Sequence, residues 1–174
     1  MSTHTPRTGD YVGSQGASAL GARLRRLSDR IDREADALYR ALNLDFEQRW
    51  FGVLNQLVLH GARSVGDIAE ALGVTHVTVS QARGALAMRG LISSEVDPGD
   101  SRRRILKLSP AGERLARDLG PLWAALNAAA RELDAEAGEV TRALEQLEQA
   151  LDRRPLLNRV RARLTPDTAS VAAP

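Results

Sequence analysis

The stretch DIAEALGVTHVTV, residues 67–79, carries small and apolar side chains where two short helices that cross each other need them. Gly73 lies between the two predicted helices, where a glycine can take the left-handed conformation that ends a helix. Thr75 follows as a good N-cap for the second helix. Ala69 leaves room for that helix, and Val79 belongs to the shared core. The pattern predicts a helix-turn-helix, and an ordinary helix hairpin with a glycine turn is the alternative.

The composition is that of a soluble globular protein. The chain has 174 residues, of which 43% are hydrophobic, and this length suits one domain with a sizeable core. The N-terminal residues are polar and glycine-rich, without the apolar region of a signal peptide. No apolar run reaches the roughly 18 residues of a membrane span. We therefore expect a cytoplasmic protein that does not bind a membrane.

Several classes of chemistry have no matching residues in the sequence. The chain has no cysteine, so disulfides and thiolate metal sites are excluded. Its three histidines, His4, His60 and His76, are far apart and lack a second ligand at helical spacing. No nucleophile motif, phosphate-binding glycine loop or catalytic acid pair is recognisable. We expect no metal, no cofactor and no enzyme activity, and a small enzyme on a helical scaffold is the least favoured alternative.

The basic residues are informative through their distribution rather than their number. The net charge is only +2, but basic residues outnumber acids locally at residues 102–107 and 153–163. All but one of the 24 basic residues are arginine. This suits phosphate and minor-groove contacts, although a GC-rich coding sequence explains the same bias.

The first half of the chain has a helical pattern before the helix-turn-helix. Apolar residues at three- and four-residue steps predict a long amphipathic helix at residues 18–42. Asp45 is the predicted N-cap of a second helix, with Gln48 at the capping-box position, and that helix should end at Gly61.

The period changes after the helix-turn-helix. Two short strands at residues 91–96 and 105–108 should be joined by the turn DPGD at residues 97–100. Two strands with a basic loop between them form a wing. Ser109 and Pro110 then match an N-cap and the first residue of the next helix.

The C-terminal segment has apolar residues seven apart, a spacing that favours a partner helix. Gly120 and Pro121 predict a kink, residues 136–138 should divide the segment into an antiparallel helix pair, and Pro155 should end or kink the second helix. The small body of the protein cannot cover apolar stripes at both ends of the chain. We expect homodimerisation through the terminal helices, with an intramolecular core as the alternative. The heptad positions are Leu119, Leu126, Leu133, Val140 and Leu147.

The predicted fold is therefore mainly α with a small β-wing: a winged helix-turn-helix domain plus N- and C-terminal dimerisation helices. The expected organisation is a disordered tail at residues 1–17, an N-terminal dimerisation helix at 18–45, a winged helix-turn-helix DNA-binding lobe at 46–109, C-terminal dimerisation helices at 110–164 and a disordered tail at 165–174.

This order of parts resembles the MarR (multiple antibiotic resistance regulator) family of bacterial winged-helix transcription factors over about residues 18–155. The resemblance rests on VGDIAEALGVTHVTVSQARGALAMRGLI at residues 65–92 and on DPGDSRRRILKLSPAGERL at residues 97–115, which holds an Asp-x-Arg element at Asp100 and Arg102. It implies a regulator, most often a repressor, that binds double-stranded DNA. A homodimer of this design should prefer an inverted repeat. The resemblance also implies a small-molecule effector, often an aromatic or phenolic acid.

The second helix of the helix-turn-helix has a predicted DNA-facing side. If Val79, Ala82 and Leu86 face the core, the opposite side is centred on Ser80 and Gln81. Gln81 can form two hydrogen bonds with adenine, and the others can reach a thymine methyl, phosphates or base edges. For each polar residue alone, the alternative is a solvated helix face. The candidate DNA-binding residues on this helix and its cap are Thr75, His76, Val77, Thr78, Ser80 and Gln81.

The wing supplies the remaining candidate DNA contacts. The resemblance implies that Arg102 or Arg103 enters the minor groove, while Asp100 orients an arginine. A narrow minor groove concentrates negative potential and favours an inserted guanidinium. The alternative is an arginine run that only screens phosphates. We assign Arg104 and Lys107 to the solvent-exposed face or to phosphates.

An aromatic cluster is the candidate effector pocket. Tyr39, Phe46, Trp50 and Phe51 are four of the chain's six aromatic residues. Arg49 lies among them as a possible counter-ion for a carboxylate. The predicted pocket residues are Tyr39, Arg49, Trp50 and Phe51. The alternative is that the aromatic residues only pack the junction of the first two helices.

The favoured function is that of a ligand-responsive, DNA-binding transcription regulator. The alternative is a winged-helix protein-interaction module without DNA binding. Such a module should lack polar residues for base contacts on its second helix and arginine on its wing, whereas this chain has Gln81, Ser80, Arg102 and Arg103.

Overall fold

The computed structural model describes residues 9–97 and 99–164, with the backbone alone at Ser101 and Arg102. The chain divides after Gly120 into two compact units, residues 1–120 and 121–174. Three parts of the predictions lie outside the described residues: the tail at residues 165–174, the start of the tail at residues 1–17, and the Arg102 side chain. Within the described ranges, no helix combines the length and the apolar character that a membrane span requires.

The first unit begins with short helical turns. Helix α1 is Tyr11–Ser14, and a 3-10 turn at Gly16–Ala19 leads into α2, Leu20–Ala41. The prediction of a disordered tail is wrong for residues 9–17. The carboxylate of Asp10 accepts a hydrogen bond of 2.9 Å from the Gly13 N–H and an ion pair of 2.7 Å from Arg26 of α2, and these contacts hold the turn.

Helix α2 keeps the predicted bounds to within two residues, and most of its apolar stripe is uncovered. Only Ala35 and Tyr39 of the helix are buried. The remaining stripe would leave a large apolar surface in water, which is unusual for a surface with no partner. Its exposed members are Leu20, Leu24, Leu27, Ile31, Leu38 and, just after the helix, Leu42.

The segment between α2 and the next helix differs from the prediction. A 3-10 turn at Gln48–Trp50 precedes α3, Phe51–His60, which ends at Gly61 as predicted. The predicted capping box of Asp45 and Gln48 is wrong. The Asp45 carboxylate is bound by Arg89 instead, and the Gln48 N–H donates to Asp36 of α2 at 2.7 Å.

The predicted helix-turn-helix is confirmed in α4, Val65–Leu72, and α5, His76–Met88. Gly73 ends α4 in the left-handed conformation, with φ of 62°. The Thr75 hydroxyl accepts a hydrogen bond from the Thr78 N–H at 3.2 Å and caps α5. At the start of α4, Ser64 and Asp67 form a capping box in which each side chain accepts from the other's backbone N–H. Ile68, Val79 and Leu86 are fully buried in the core.

The wing is an antiparallel pair, β2 at Ile92–Asp97 and β3 at Asp100–Leu108, and β3 is longer than predicted. A third strand, β1 at Arg63–Ser64, pairs with β3, so the sheet order is β1-β3-β2. Sequence reasoning missed β1 because two residues show no alternation. The fold class, mainly α with a small β-wing, is confirmed.

Helix α6, Pro110–Glu136, begins where the sequence predicts. The Ser109 hydroxyl accepts from the Gly112 N–H at 3.0 Å and caps the helix. Gly112 packs so closely on the chain before β2 that a Cβ atom there would collide with the Leu91 carbonyl oxygen. The helix continues through Gly120 and Pro121 as one element.

The second unit, from Pro121, contains the rest of α6, α7 at Val140–Arg153 and α8 at Leu156–Arg161. The predicted break at residues 136–138 is confirmed, with Gly138 at φ of 84°. Asp134 accepts two hydrogen bonds of 2.8 Å from Thr141, which hold the pKa of its carboxyl below the usual value. Pro155 separates α7 from α8. Among residues 121–164, which the structure describes, six large apolar side chains are exposed: Leu133, Val140, Leu151, Leu156, Leu157 and Val160.

Candidate nucleic-acid interface

The two sides of α5 differ as the sequence predicts. Val79, Ala82 and Leu86 are buried, and the opposite side meets solvent. Val77 is 65% exposed, although it is apolar, and Gln81 is also exposed. The helix therefore presents the predicted residues on one accessible face, and that these residues contact DNA stays a prediction.

The N-terminal end of α5 combines a cap with exposed polar groups. The hydroxyl oxygens of Thr75 and Thr78 lie 3.0 Å apart, so each of these candidate residues also holds the other. His76 is exposed in the first turn, and its ring lies over Gly66 at the start of α4, about 3.5 Å from where a Cβ of Gly66 would stand. The N–H groups of a helix start favour an anion such as phosphate.

Arg103 of β3 is bound by side chains from other parts of the first unit. Its Nη2 donates to the Asp67 carboxylate and to the Ser64 hydroxyl, each at 3.1 Å, and its Nε lies 3.9 Å from Asp97. Hydrogen bonding with Ser64, together with the charge of Arg103, holds the pKa of the Asp67 carboxyl below its usual value. Arg103 therefore ties β3 to the first turn of α4.

The other two wing residues of interest are described less fully. Asp100 opens β3 opposite Asp97. The Arg102 side chain lies outside the described atoms, and its insertion into a minor groove stays a prediction. So does the role of Asp100 in orienting an arginine. The described contacts of Arg103 are with Asp67, Asp97 and Ser64.

A cleft of about 790 Å³ is lined by the start of α4, one flank of α5 and strand β3. Three guanidinium groups line it, together with polar side chains, so the cleft can accept a phosphodiester strand. Arg83 is a candidate that sequence reasoning missed; its position three residues after Ser80, on the same flank of α5, is the signal that could have identified it. The charged and polar residues that line the cleft are Ser64, Asp67, Glu70, His76, Ser80, Arg83, Arg103 and Arg104.

The predicted effector-pocket residues lie in different environments. Tyr39 and Trp50 are almost fully buried, and both stack edge-to-face on Phe46, with ring centroids 5.0 and 5.7 Å away. The Tyr39 hydroxyl donates to Gln48 at 3.0 Å. Arg49 is exposed and pairs with Glu47 at 2.6 Å, and Phe51 is partly buried. The aromatic residues thus pack the junction between α2 and α3, and a ligand at these residues stays a prediction.

Arg89, just after α5, has contacts that sequence reasoning missed. It forms a two-bond ion pair with Asp45, at 2.8 and 2.9 Å, and its guanidinium lies 4.3 Å from the centre of the Trp50 ring. The partner is 44 residues away in the chain, so no local pattern indicates the pair. Among the residues that the structure describes, no group of three metal-binding side chains is present.

Comparisons with known proteins support the winged-helix fold. Residues 44–103 match the model of the MarR family. No curated protein matches the chain significantly. The chain is similar in structure to the PcaV transcriptional regulator of Streptomyces coelicolor, with 25% identity and a TM-score of 0.57 over 71% of this chain and 96% of that one.

Two further solved structures are similar. MepR from S. aureus, solved as a complex with DNA, has 23% identity and a TM-score of 0.65 over 76% of this chain and 97% of its own. NMB1585, a MarR family regulator from Neisseria meningitidis, has 26% identity and a TM-score of 0.56 over 78% and 90%. The chain has the winged-helix fold of the MarR-family transcriptional regulators, and the MarR resemblance predicted from its sequence is confirmed.

Proposed function

We propose that the chain is a sequence-specific double-stranded DNA-binding regulator that acts in a bacterial cytoplasm as a homodimer and represses transcription from an inverted repeat. The observation that carries the proposal is the outward face of α5, where Gln81 is exposed and the half-buried Ser80 lies beside an arginine-lined cleft. A helix of this kind fits the major groove, where each base pair presents a distinct pattern of donors and acceptors.

The base contacts follow from the chemistry of the exposed side chains. Gln81 has both the donor and the acceptor that adenine N7 and N6 require, and Val77 can contact a thymine methyl. Ser80, Thr78 and His76 lie beside them and can donate to phosphates or base edges. The Thr75 hydroxyl also caps the helix.

The cleft and the wing supply the phosphate contacts. A DNA strand that runs from the major groove at α5 to the minor groove at the wing passes the cleft. There the side chains of Arg83 and Arg104 can bind its phosphates. Arg102 is the groove-inserting arginine, because Arg103 is already bound to Asp67 and Ser64. Each phosphate contact that is lost should flatten the salt dependence of log affinity by about 0.9.

Dimerisation accounts for the apolar stripe on α2 and for the exposed apolar side chains of the second unit. A second copy would cover both surfaces and leave the two α5 helices about one helical turn of DNA, roughly 34 Å, apart. This geometry requires an inverted repeat, since the two-fold axis of the dimer must coincide with that of the DNA.

An effector completes the proposal. PcaV has been solved in complex with its natural ligand, and we extend this to a small aromatic or phenolic acid for the present chain, with Tyr39, Arg49, Trp50 and Phe51 as the candidate pocket. Tyr39 and Trp50 are packed in the core, so a ligand can reach them only by moving the aromatic cluster. A tenfold loss of DNA affinity needs about 1.4 kcal/mol of differential binding between the two conformations.

The test begins with selection of bound duplexes from a random DNA pool. The proposal predicts enrichment of an inverted repeat with half-sites about ten base pairs apart. The selected duplex is then titrated against salt with wild type, Gln81→Ala, Arg83→Ala and Arg102→Ala. Arg142→Ala, which alters an exposed arginine of α7, is the control.

Gln81→Ala and Arg83→Ala have different expected signatures. Gln81→Ala relaxes the preference for one base in each half-site and costs about 1–3 kcal/mol. Arg83→Ala weakens all sequences alike and flattens the salt slope, while the control behaves as wild type. If no sequence is enriched and binding is absent at low salt, the protein-interaction module without DNA binding becomes the better account.

A further inference from the structure

Helix α2, which carries the apolar stripe, is connected through one small region to α5, the recognition helix of the proposed regulator. Helix α2 packs against the 3-10 turn Gln48–Trp50, and the same turn packs against α5. The orientation of α5 relative to α2 therefore depends on what holds this turn and the loop at residues 43–47. In a dimer formed through α2, that orientation also determines how far apart the two recognition helices lie.

The contact at this region is a planar fork. Arg89 directs Nε to one carboxylate oxygen of Asp45 at 2.8 Å and Nη2 to the other at 2.9 Å. Its Nη1 also donates to the Ala85 carbonyl of α5 at 3.3 Å. Two parallel bonds from a rigid guanidinium restrict rotation as well as distance, which a single bond from an ammonium does not.

The fork rests on a buried aromatic surface. The Arg89 guanidinium lies 4.3 Å from the centre of the Trp50 ring, and Trp50 is only 2% exposed. Trp50 stacks on Phe46, and Phe46 stacks on Tyr39 of α2. A continuous series of contacts thus runs from Tyr39, near the end of α2, to Arg89, just after α5. The Arg89 side chain is 28% exposed, whereas the Asp45 side chain is 76% exposed.

We infer that the Asp45–Arg89 pair, seated on Trp50, is a specificity device that sets the half-site spacing of the operator. Arg89 and Asp45 are positioning residues: they fix the angle of α5 relative to α2 without touching DNA themselves. Adjacent spacings differ by one base-pair step of about 3.4 Å, so a small change in this angle changes which spacing fits. The inference rests on the proposed function, because spacing has meaning only for a dimer on two half-sites.

A series of duplexes tests the inference directly. The half-site selected by wild type is placed as an inverted repeat at the selected spacing and at spacings one and two base pairs shorter and longer. A duplex with a single half-site completes the series. Affinities are measured for wild type, Arg89→Lys and Asp45→Asn. The controls are Glu47→Gln, which alters the neighbouring 2.6 Å ion pair of the same loop, and Arg142→Lys, which alters an exposed arginine of α7.

The expected result is a change in preference rather than a general loss. Wild type and both controls prefer one spacing by about tenfold, which corresponds to about 1.4 kcal/mol. Arg89→Lys and Asp45→Asn reduce the preference to about threefold or less, and their affinity for a single half-site stays within about twofold of wild type. If both variants keep the wild-type preference, or lose affinity equally at every spacing, the pair has only a structural role and the inference is overturned.

A second measurement needs no DNA. The chain has no cysteine, so Arg33→Cys on α2 and Ala87→Cys on α5 can carry spin labels, and an excess of unlabelled protein suppresses distances between copies. Arg89→Lys and Asp45→Asn should broaden or shift the distance distribution, whereas Glu47→Gln should leave it unchanged. An unchanged distribution in all variants overturns the inference. If wild type binds no duplex while the fork variants still shift the distances, the proposed function fails but the positioning role remains.

Discussion

The guanidinium of Arg103 lies 3.1 Å from the carboxylate of Asp67, so the wing is tied to the first turn of the helix-turn-helix. The same carboxylate completes the capping box with Ser64. One side chain therefore links the start of α4 to strand β3. Arg103 therefore has two candidate roles, as an anchor for the wing and as a direct contact with DNA, and these roles make different predictions.

Asp67→Asn separates these roles. As an anchor, Arg103 loses its charged partner, the wing is held less firmly, and DNA affinity falls by about three- to tenfold, or roughly 1 kcal/mol. Arg103→Ala should have an effect of similar size. The measurement is the affinity of each variant for the selected duplex. If Arg103 itself contacts DNA, Asp67→Asn releases the arginine and tightens binding, which would contradict the anchor role.

The stability conferred by Asp67 should depend on pH. Hydrogen bonding with Ser64 lowers the pKa of the folded carboxyl from 3.8, so the ionised form is favoured by folding. Its contribution is complete above about pH 5 and is lost as the pH falls through the folded pKa. Unfolding free energies of wild type and Asp67→Asn, measured by denaturant at pH 7, 5, 4 and 3, should differ at the first two values and converge below 3.8. A constant difference down to pH 3 would contradict the assignment.

Asp32 of α2 should show the opposite sign. Burial, with the neighbouring carboxylates of Asp36 and Asp29, raises the pKa of Asp32, so its ionised form opposes folding. Asp32→Asn should increase stability at pH 7, and the gain should disappear as the pH falls through the raised pKa toward 3.8. The same denaturant series measures this change. A variant less stable than wild type at pH 7 would show that Asp32 has a favourable partner.

Gly84 lies inside α5 on the outward side, where an added Cβ meets nothing within 4 Å. Gly84→Ala should therefore stabilise the free protein by up to about 1 kcal/mol, because glycine is a poor helix former. If the glycine allows DNA to approach the helix closely, the same change should weaken DNA binding severalfold. Gly21→Ala in α2, where a Cβ is equally free, is the control for stability alone. Unchanged DNA affinity in Gly84→Ala would exclude close approach at this position.

The apolar stripe of α2 predicts how the oligomer responds to charge. Ile31 is 55% exposed, and Ile31→Glu would bury a carboxylate in a dimer interface, which costs several kcal/mol. Sedimentation should then give a mass near 18.8 kDa in place of twice that value. Val77→Glu on α5, where Val77 is 65% exposed, should leave the dimer intact and abolish DNA binding. A dimeric Ile31→Glu would locate the interface elsewhere.

Local signals explain what the sequence could predict. Gly73 and Thr75 act within one turn of their own helices, so their roles can be read from neighbouring residues, and the buried side of α5 follows from its period. Asp45 shows the limit: its spacing to Gln48 matches a capping box, but a two-bond ion pair with Arg89 is the contact that forms.

Long-range ion pairs and very short strands could not be predicted, because they depend on contacts between residues that are far apart in the sequence. Arg103 and Asp67 are 36 residues apart, and which arginine of the wing bonds which carboxylate depends on the register of β3. Strand β1 has only two residues, and its pairing with β3 is a tertiary contact. The helical turn at residues 11–14 depends on Arg26 of the next helix, which no local pattern indicates.

The most direct test of the account is whether Gln81 reads a base. In the selected duplex, each adenine is replaced in turn by 7-deaza-adenine, which lacks the N7 acceptor, and affinities are measured for wild type and Gln81→Ala. The account predicts one adenine in each half-site at which wild type loses about 1–3 kcal/mol while Gln81→Ala loses nothing further. Equal losses for the two proteins at every adenine would contradict base recognition by α5 through this residue.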